Sequence, residues 1–580
     1  MTEQITDSFE VSPQQEQLWL AQPEGPSGRI QATFAISGPV DADAVHAALL
    51  RTTQRHEILR TVFVRRPGIR VPLQTVAEDL APAWRSEDLS GRSGEERDAA
   101  LAALGGEELA AAFDFERGPL VRALLVRLGE GQHVLVLTVS SLCADPASLG
   151  LIGQELFAGL GGPAELVEEP LQYADFAAWQ RELQEGQDEE AVRAREFWAT
   201  AAGAPAPALP FAAPAPSSTA TATHTIEVAL GGGVADGVAA LAARYGVGPA
   251  TVVHAAWHAV LAAAGGERTS SAVLVSGERR HEDLEGAVGA FAAPVPTHAE
   301  IAAATTFAEL VQEIDHAAGQ AAVWQDYAPA GATGSIGVLE ADAPAQRAGE
   351  LSVALRSLAL AGTGLGLWVT ILTGAGRLSV SVGHDESYLA GEHAARLAGR
   401  LGRLLASVAE HGAAPLAELD QLPDSERAEL DAFSGAGEGR PAVLTPAIHE
   451  RFAAHAASAP DRIAVTDGER ELSYAELDRR ANQLAQRLRR AGVGPDVVVG
   501  LCTDRSVDMV VGLLGILKAG GAYLPLHYEH PRARMELQLQ TAQARALVTQ
   551  EALLERLPAF AGETVCLDRD SAELDREEAS

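Results

Sequence analysis

The 580-residue sequence predicts a mixed α/β protein with three or four units, each long enough to bury its own core. Val134–Val139 is an unbroken apolar run, typical of a strand buried on both faces. Residues 147–160, which follow it, carry apolar side chains at helical spacing. Two stretches, 201–222 and 425–445, are rich in small, polar, Gly or Pro residues and are typical of linkers.

The composition argues against two classes of partner. The chain has 44 basic and 79 acidic residues, a formal net charge of −35. Nucleic acids and anionic membranes both need a basic surface, so we expect neither as a partner. The N-terminal residues are acidic and polar, unlike a secretory signal, and no apolar run reaches the ~18 residues that span a bilayer.

The three cysteines predict a reducing environment. Cys143, Cys502 and Cys566 lie far apart and lack the spacing of metal ligands. Free thiols of this kind are typical of the cytoplasm, where we expect the protein to act. We also expect no metal site and no directly bound cofactor.

The N-terminal segment is predicted to open with a capped helix, because Ser12 precedes Pro13. A strand over 30–36 and an amphipathic helix from about Asp41 should follow. We predict that His56, just beyond that helix, is structural, since a single histidine is more often part of the architecture than a ligand.

The centre of the predicted fold is a strand pair followed by a helix. Pro119–Leu128 and Val134–Val139 read as neighbouring strands, with a turn over 129–131. The second strand ends at Ser140 and Ser141, before the helix of residues 147–160. Functional residues often lie where a buried strand ends and a helix begins, so this junction is the candidate site.

The remaining chain repeats the α/β pattern. The predicted elements up to the second linker are a strand over 223–230, helices near 234–246 and 249–264, a strand over 272–276 and a helix over 386–411. Beyond residue 445, short strands alternate with helices in the pattern of a doubly wound α/β unit.

Six segments resemble the motifs of condensation domains from nonribosomal peptide synthetases. They are Ser12–Trp19, Arg55–Phe63, Ser140–Pro146, Leu171–Trp179, Gly286–Phe291 and Trp324–Tyr327. The resemblance implies two chloramphenicol-acetyltransferase-like lobes in a V-shaped domain. The N-terminal lobe would span 8–200 and the C-terminal lobe 223–424, with 201–222 as the inter-lobe linker.

Two further segments resemble the first core motifs of amino-acid adenylation domains. They are Glu471–Leu477 and Leu517–His527, with His527 where that family usually has Asp. The Ser/Thr/Gly-rich phosphate loop of the family is not found before Ser580. We therefore expect 446–580 to be the N-terminal part of an adenylation domain, without adenylation activity of its own.

The resemblance implies chemistry on carrier-bound substrates. In the family, an amine on one phosphopantetheine arm attacks a thioester on another, beside the motif His-His-x-x-x-Asp-Gly. Here Ser140 and Ser141 stand at the two histidine positions, Asp145 keeps the acidic one and Pro146 replaces the glycine. In the family the Asp is mainly structural and pairs with an arginine, for which Arg279 is the candidate and Arg280 the alternative.

In the family, carrier arms enter a tunnel between the two lobes from opposite faces, and the other motifs imply further residues of that tunnel. They are Gly289, Phe291, Ala293, Trp324 and Asp326, with Ala292-Ala293 in place of Val-Asn and Trp324 in place of a histidine. A serine hydroxyl is no useful base without an activating partner. Loss of a general base costs on the order of 10²–10⁴-fold, whereas holding two reactants together can supply ~7–11 kcal/mol. The sequence therefore predicts strongly slowed condensation.

Three functions are compatible with these residues. The first is a scaffold that docks carrier proteins or recruits an enzyme acting on carrier-bound substrate. The second is condensation, or an altered acyl transfer, driven by proximity alone, and the third is a structural partner of the adenylation domain.

A nucleophilic role for Cys143 is disfavoured, because no base partner is evident and an inert buried thiol is expected. We expect His133 in solvent and His384-Asp385 in a turn and helix cap.

Overall fold

Contacts divide the chain into two units, Met1–Leu430 and Asp431–Ser580, in the computed structural model. The residues that the structure describes are 8–20, 28–160, 169–201, 208–216, 222–302, 304–329, 334–342, 346–348, 350–374, 377–434, 446–468 and 470–579. Parts of both predicted linkers, 202–207, 217–221 and 435–445, lie outside them.

The first part of unit one, to residue 201, has seven strands and six helices among its described residues. The strands are β1 Ser8–Glu10, β2 Arg29–Ser37, β3 Thr61–Val64, β4 Leu73–Val76, β5 Ala83–Asp88, β6 Val121–Gly129 and β7 Gln132–Ser140. The helices are α1 Pro13–Leu20, α2 Ala42–Arg55, α3 Gly94–Ala110, α4 Pro146–Ala158, α5 Tyr173–Glu185 and α6 Glu189–Ala201. Local sequence explains the starts of α2 and α4, because Asp41 and Asp145 accept backbone N–H groups of the first turn.

The second part of unit one continues the α/β pattern. Its described strands are β8 Thr223–Glu227, β9 Thr269–Ser276, β10 Ala293–Glu300, β11 Ile336–Asp342, β12 Gln346–Ala348, β13 Leu351–Ala361, β14 Leu367–Gly374 and β15 Arg377–Asp385. Its helices are α7 Val234–Tyr245, α8 Pro249–Gly265, α9 Phe307–Val323, α10 Gly391–His411 and α11 Asp424–Ser434.

The second part of unit one contributes a strand pair to a sheet of the first part, and β1, β4 and β3 form a separate three-stranded sheet. One six-stranded sheet has the order β10-β9-β11-β14-β15-β8 and the other the order β12-β13-β2-β7-β6-β5. β13 and β12 follow residue 223 in the chain but belong to the sheet of the first part, where β13 pairs antiparallel with β2. The two predicted lobes are therefore not separate in their hydrogen bonding, and β7 lies inside its sheet, with Val134–Val139 buried throughout.

Three local predictions differ from the structure. The helix predicted over 386–411 begins at Gly391, because Asp385 accepts the N–H and hydroxyl of Ser387 and holds a turn. His133 lies within β7 and is half-buried rather than in solvent. The predicted linker 425–445 is helical to Ser434, since the buried Glu426 carboxylate accepts hydrogen bonds from Arg400 on α10.

Unit two is the predicted doubly wound α/β unit. Its described helices are α12 Ile448–Ser458, α13 Tyr474–Arg490, α14 Val507–Lys518, α15 Arg532–Thr541 and α16 Ser571–Leu574. Its strands are β16 Ile463–Thr466, β17 Glu471–Ser473, β18 Val498–Cys502, β19 Ala522–Pro525, β20 Ala546–Thr549 and β21 Glu563–Cys566. The last four form a parallel sheet in the order β19-β18-β20-β21, with the strand order reversing at β18.

The helices were compared with the length and apolar composition that a membrane-spanning helix needs. Among the described residues, no single helix is both long and apolar enough to cross a bilayer. Helices α7 and α8 meet the length and composition required only when taken together, across a bend of 101°.

Candidate functional site

A cavity of about 180 Å³ lies where β7 ends and α4 begins. Ser141, Ala144, Asp145 and Pro146 line it from this junction. Helix α1 contributes a face with helical spacing, Ile30 on β2 adds one side chain, and strands and loops of the second part of unit one form the remaining wall. The cavity therefore lies between the two parts of unit one, at the junction that the sequence singled out.

The two serines have different surroundings. Ser140, the last residue of β7, is fully buried, and its Oγ accepts the N–H of Leu142 at 3.2 Å. Ser140 is not among the residues that line the cavity. Ser141 lines it and is half-buried, and its Oγ has no hydrogen-bond partner among the described residues. Of the two serines, therefore, only Ser141 lines the cavity.

Asp145 forms a buried ion pair with Arg279. The carboxylate Oδ2 accepts from Nη1 at 2.8 Å and Oδ1 accepts from Nη2 at 3.0 Å. Oδ1 also accepts the N–H of Ser148, which caps α4. Arg280, the alternative candidate, instead donates to the carbonyl of Ala322. Asp145 thus joins the start of α4 to the loop after β9.

Ser148 and Tyr173 carry this connection to Gly289. Arg279 donates to Ser148 Oγ, which donates to the carbonyl of Gly289 and accepts its N–H at 3.0 Å. Tyr173 donates to the carbonyl of Ala290 at 2.9 Å. A Cβ on Gly289 would lie 1.9 Å from Tyr173 Cδ2, so this position requires glycine. The network holds the segment before β10 against α4 and α5.

In the segment that leads into β10, side chains alternate between the cavity and the core, and this alternation decides which of the predicted residues line the cavity. Ala290, Ala292 and Pro294 do so, whereas Phe291 and Ala293 are buried elsewhere in the core. Successive side chains of an extended chain point to opposite faces, which places Ala292 rather than the predicted Ala293 in the wall. Phe291 has a different contact, with the Arg279 guanidinium 4.1 Å from its ring centroid.

Trp324 and Asp326 do not line the cavity. Trp324 follows the last residue of α9, packs partly buried against the core of the second part of unit one and accepts the indole N–H of Trp198 on its carbonyl. Asp326 lies 3.3 Å from His281 through its Oδ2, and its carbonyl accepts from Gln180. Both residues follow α9, whose end is directed toward other helices.

The remaining titratable candidates are engaged or inert. His56 is buried, and its Nε2 lies 2.9 Å from the Glu155 carboxylate. Cys143 is buried, and burial raises the pKa of its thiol far above the ordinary value. His384 donates from Nδ1 to the carbonyl of Leu389, and burial lowers the pKa of His384.

Sequence reasoning missed part of the cavity wall. Gln14, Gln17 and Leu18 of α1 line it, although the sequence marked this helix only by its cap and by the Ser12–Trp19 motif. Their i, i+3, i+4 spacing was a signal for a shared face, but many helices present such a face. Nothing in the sequence showed that this face meets Ser141.

Two family models match the chain in succession. The model described as "Condensation domain" matches residues 5–330, more than half of the chain. The model described as "AMP-binding enzyme" matches residues 452–580.

The curated relatives are much longer than this chain. It is 30% identical to chondramide synthase cmdD of Chondromyces crocatus over 98% of its own length and 15% of the relative's. It is 29% identical to tyrocidine synthase 3 of Brevibacillus parabrevis over 97% of its length and 9% of that protein's. The chain therefore spans a small part of the relatives it matches.

Solved structures share the fold. The nonribosomal peptide synthetase FmoA3, bound to alpha-methyl-L-serine-AMP, aligns with a TM-score of 0.70 at 21% identity, covering 100% of this chain and 65% of that one. The complex of the X-domain and OxyB from teicoplanin biosynthesis aligns with a TM-score of 0.54 at 23% identity, covering 73% of this chain and 98% of that one.

Proposed function

The chain belongs to the Condensation domain family, and from this premise we propose that it is part of a nonribosomal peptide synthetase module with impaired condensation. In this proposal the domain binds acyl or aminoacyl thioesters tethered to the phosphopantetheine arms of upstream and downstream carrier proteins. Ser140 and Ser141 replace the catalytic histidines of a degenerate motif. The domain then acts mainly as a docking platform.

One observation carries the proposal: the described cavity lining holds no available base. Its only ionisable side chain is Asp145, and both carboxylate oxygens accept hydrogen bonds from Arg279. Ser141 Oγ has no described partner that could take its proton. A hydroxyl without such a partner does not act as a general base, which supports the loss of that catalytic contribution.

The docking role has support from the fold. The same architecture occurs in the complex of the X-domain and OxyB, so a condensation-type fold serves there as a binding partner of another protein. We infer that residues 8–200 and 223–424 form the condensation-type domain. Residues 446–580 would start an adenylation domain, and the three free cysteines fit a cytoplasmic location.

A second function, condensation by proximity, is favoured by the cavity itself. About 180 Å³ remains open beside Ser141, which leaves room for a reacting group. Holding an amine and a thioester together can supply ~7–11 kcal/mol without any base. Slow turnover is therefore compatible with this site.

A single-turnover assay with loaded donor and acceptor carrier proteins tests the proposal. We expect condensation at least ~10²-fold slower than with a histidine-containing domain of the family, because the general base is missing. Ser141→Ala should leave the rate constant unchanged, whereas Ser141→His should raise it. A robust rate that Ser141→Ala abolishes would make the serine catalytic and contradict the proposal.

A further inference from the structure

Three polar side chains from two of the motif segments meet in the interior of unit one. Ser12 precedes α1, Gln15 lies in the first turn of that helix, and Tyr173 begins α5. All three are buried, and none is among the described residues that line the cavity. Burying a polar side chain is unfavourable unless it is hydrogen-bonded, so the partners of these three show which segments they hold.

Hydrogen bonds connect the three side chains in a row, which we call the Gln15–Tyr173 chain. Gln15 Nε2 donates to the carbonyl of Leu142 at 2.8 Å, and Gln15 Oε1 accepts the N–H of Ser12 at 2.9 Å. Ser12 Oγ accepts the N–H of Gln15 at 3.2 Å and lies 2.7 Å from Tyr173 Oη. Tyr173 Oη donates to the carbonyl of Ala290 at 2.9 Å. The chain therefore runs from the β7–α4 junction to the segment before β10.

The direction of the hydrogen bonds in this chain is fixed. A tyrosine hydroxyl has one proton, and Tyr173 gives it to the carbonyl of Ala290. Tyr173 Oη therefore accepts from Ser12, whose hydroxyl is the donor. Burial raises the pKa of the Tyr173 hydroxyl, so it remains a donor at neutral pH. Removing one member leaves a buried partner unsatisfied, because no other orientation of the protons completes the chain.

A second connection joins the same two segments. Ser148, in the first turn of α4, donates to the carbonyl of Gly289 and accepts its N–H. Gly289 immediately precedes Ala290, and Leu142 lies in the loop that leads into α4. The junction and the segment before β10 are therefore held together at two points. Two points of attachment fix both the distance and the angle between the segments, whereas a single one would act as a hinge.

We propose that Gln15 and Tyr173 are positioning residues that fix the distance between two walls of the cavity. Ser141 lies on one wall, next to Leu142, and Ala292 lies on the opposite segment, two residues after the carbonyl that Tyr173 holds. This inference rests on the proposed function, because condensation by proximity depends on how closely the walls hold the two reacting groups. Both residues act only through the backbone carbonyls that they bind.

A thiol introduced by Ala292→Cys reports the width of the cavity. Cys143, Cys502 and Cys566 are buried, so the introduced thiol is the one expected to react quickly in the native chain. Alkylation of the full chain is measured with iodoacetamide and with the bulkier N-phenylmaleimide, each normalised to its rate constant with free cysteine. Both reagents attack the thiolate, so the ratio of the two normalised rate constants cancels changes in the thiol pKa and reports space.

Two variants in this background break the chain at different bonds. Tyr173→Phe removes the hydroxyl and keeps the ring that packs edge-on against Phe291. Gln15→Met keeps the length of the side chain and removes its hydrogen bonds. Each should raise the N-phenylmaleimide to iodoacetamide ratio about 2–10-fold, the factor that one net hydrogen bond contributes to the opening of the walls. The double variant should raise it by less than the product of the two single effects, because both bonds belong to one connection.

Tyr245→Phe is the matched control for the loss of a tyrosine hydroxyl. Tyr245 also donates to a backbone carbonyl, that of Gly412, and is not among the described lining residues. This control should lower the urea midpoint without changing the alkylation ratio. A ratio that rises equally in Tyr245→Phe would reduce the effect to general loosening of unit one and overturn the inference.

Single-turnover condensation with loaded carriers connects the cavity width to the reaction. Tyr173→Phe should lower the rate constant at saturating carriers by up to ~10²-fold and leave carrier affinity unchanged, because Tyr173 is buried and only the spacing of the reacting groups changes. An unchanged alkylation ratio in both variants would overturn the inference, as would a raised ratio with an unchanged condensation rate constant. Wild-type chain that binds no carrier would refute the proposed function instead, and the alkylation ratio would still decide whether the two residues set the width.

Discussion

Replacing Arg279 by methionine should destabilise unit one by about 3–5 kcal/mol, the usual cost of leaving a buried charge without its partner. The Arg279 side chain is 7% exposed and that of Asp145 is 3% exposed. Arg279 donates to both oxygens of Asp145, at 2.8 and 3.0 Å, and to Ser148 Oγ at 2.8 Å. Methionine retains a long apolar side chain but none of these donors. The Asp145 carboxylate would keep only the N–H of Ser148.

Tryptophan fluorescence during urea unfolding measures this loss selectively. All seven tryptophans lie in unit one, the last at Trp368, so the signal does not report unit two. With an m-value of about 3 kcal/mol/M, the predicted loss lowers the unfolding midpoint by roughly 1–1.7 M.

A neighbouring arginine and a double variant complete this experiment. Arg280→Met removes a hydrogen bond to one backbone carbonyl and should cost at most about 1 kcal/mol. Asp145→Asn in the Arg279→Met background should recover part of the loss, because it removes the uncompensated charge. An Arg279→Met variant whose free energy of unfolding stays within about 1 kcal/mol of the wild type would contradict this prediction, as would a second substitution that only adds to the loss.

Three further predictions concern packing, thiol reactivity and pH. Gly289→Ala should destabilise unit one by at least ~1–3 kcal/mol, because the new Cβ would lie 1.9 Å from Tyr173. The control Gly286→Ala, whose nearest contact is 4.0 Å, should leave the urea midpoint unchanged. Equal midpoints for the two variants would contradict this prediction. Burial raises the pKa of the Cys143 thiol, so iodoacetamide at pH 8 should label Cys143 only after unfolding. Fast labelling of Cys143 in the native chain would contradict an inert buried thiol. Burial lowers the pKa of His258 well below its ordinary value, so the unfolded state binds the proton more readily than the folded state. The free energy of unfolding should therefore fall as the pH drops below about 6.5, by up to ~1.4 kcal/mol per pH unit. His258→Asn should flatten that slope, measured from urea midpoints at pH 7.5 and 5.5, and an unchanged slope would exclude this histidine as the cause.

Local sequence patterns were enough to predict the mixed α/β class, the position of the central strand and several of the elements around it. Val134–Val139 is a buried strand because a continuous apolar run can be hidden only inside a sheet covered on both faces. The junction at Ser141 was also evident, since the helix cap at Asp145 and the following proline are local signals. Local chemistry of this kind does not depend on distant parts of the chain.

Which side chains meet depends on long-range packing. The crossing of β13 into the sheet of β2 joins residues more than 300 positions apart, and no local pattern encodes such a pairing. Successive side chains of an extended chain point to opposite faces, so a shift of one residue decides whether Ala292 or Ala293 faces the cavity. The sequence is compatible with either arrangement. The position of Gln14 opposite the β7–α4 junction depends in the same way on how α1 packs. Long-range packing sets these contacts because the free energy of burying a surface depends on the partner that covers it, and that partner is distant in sequence.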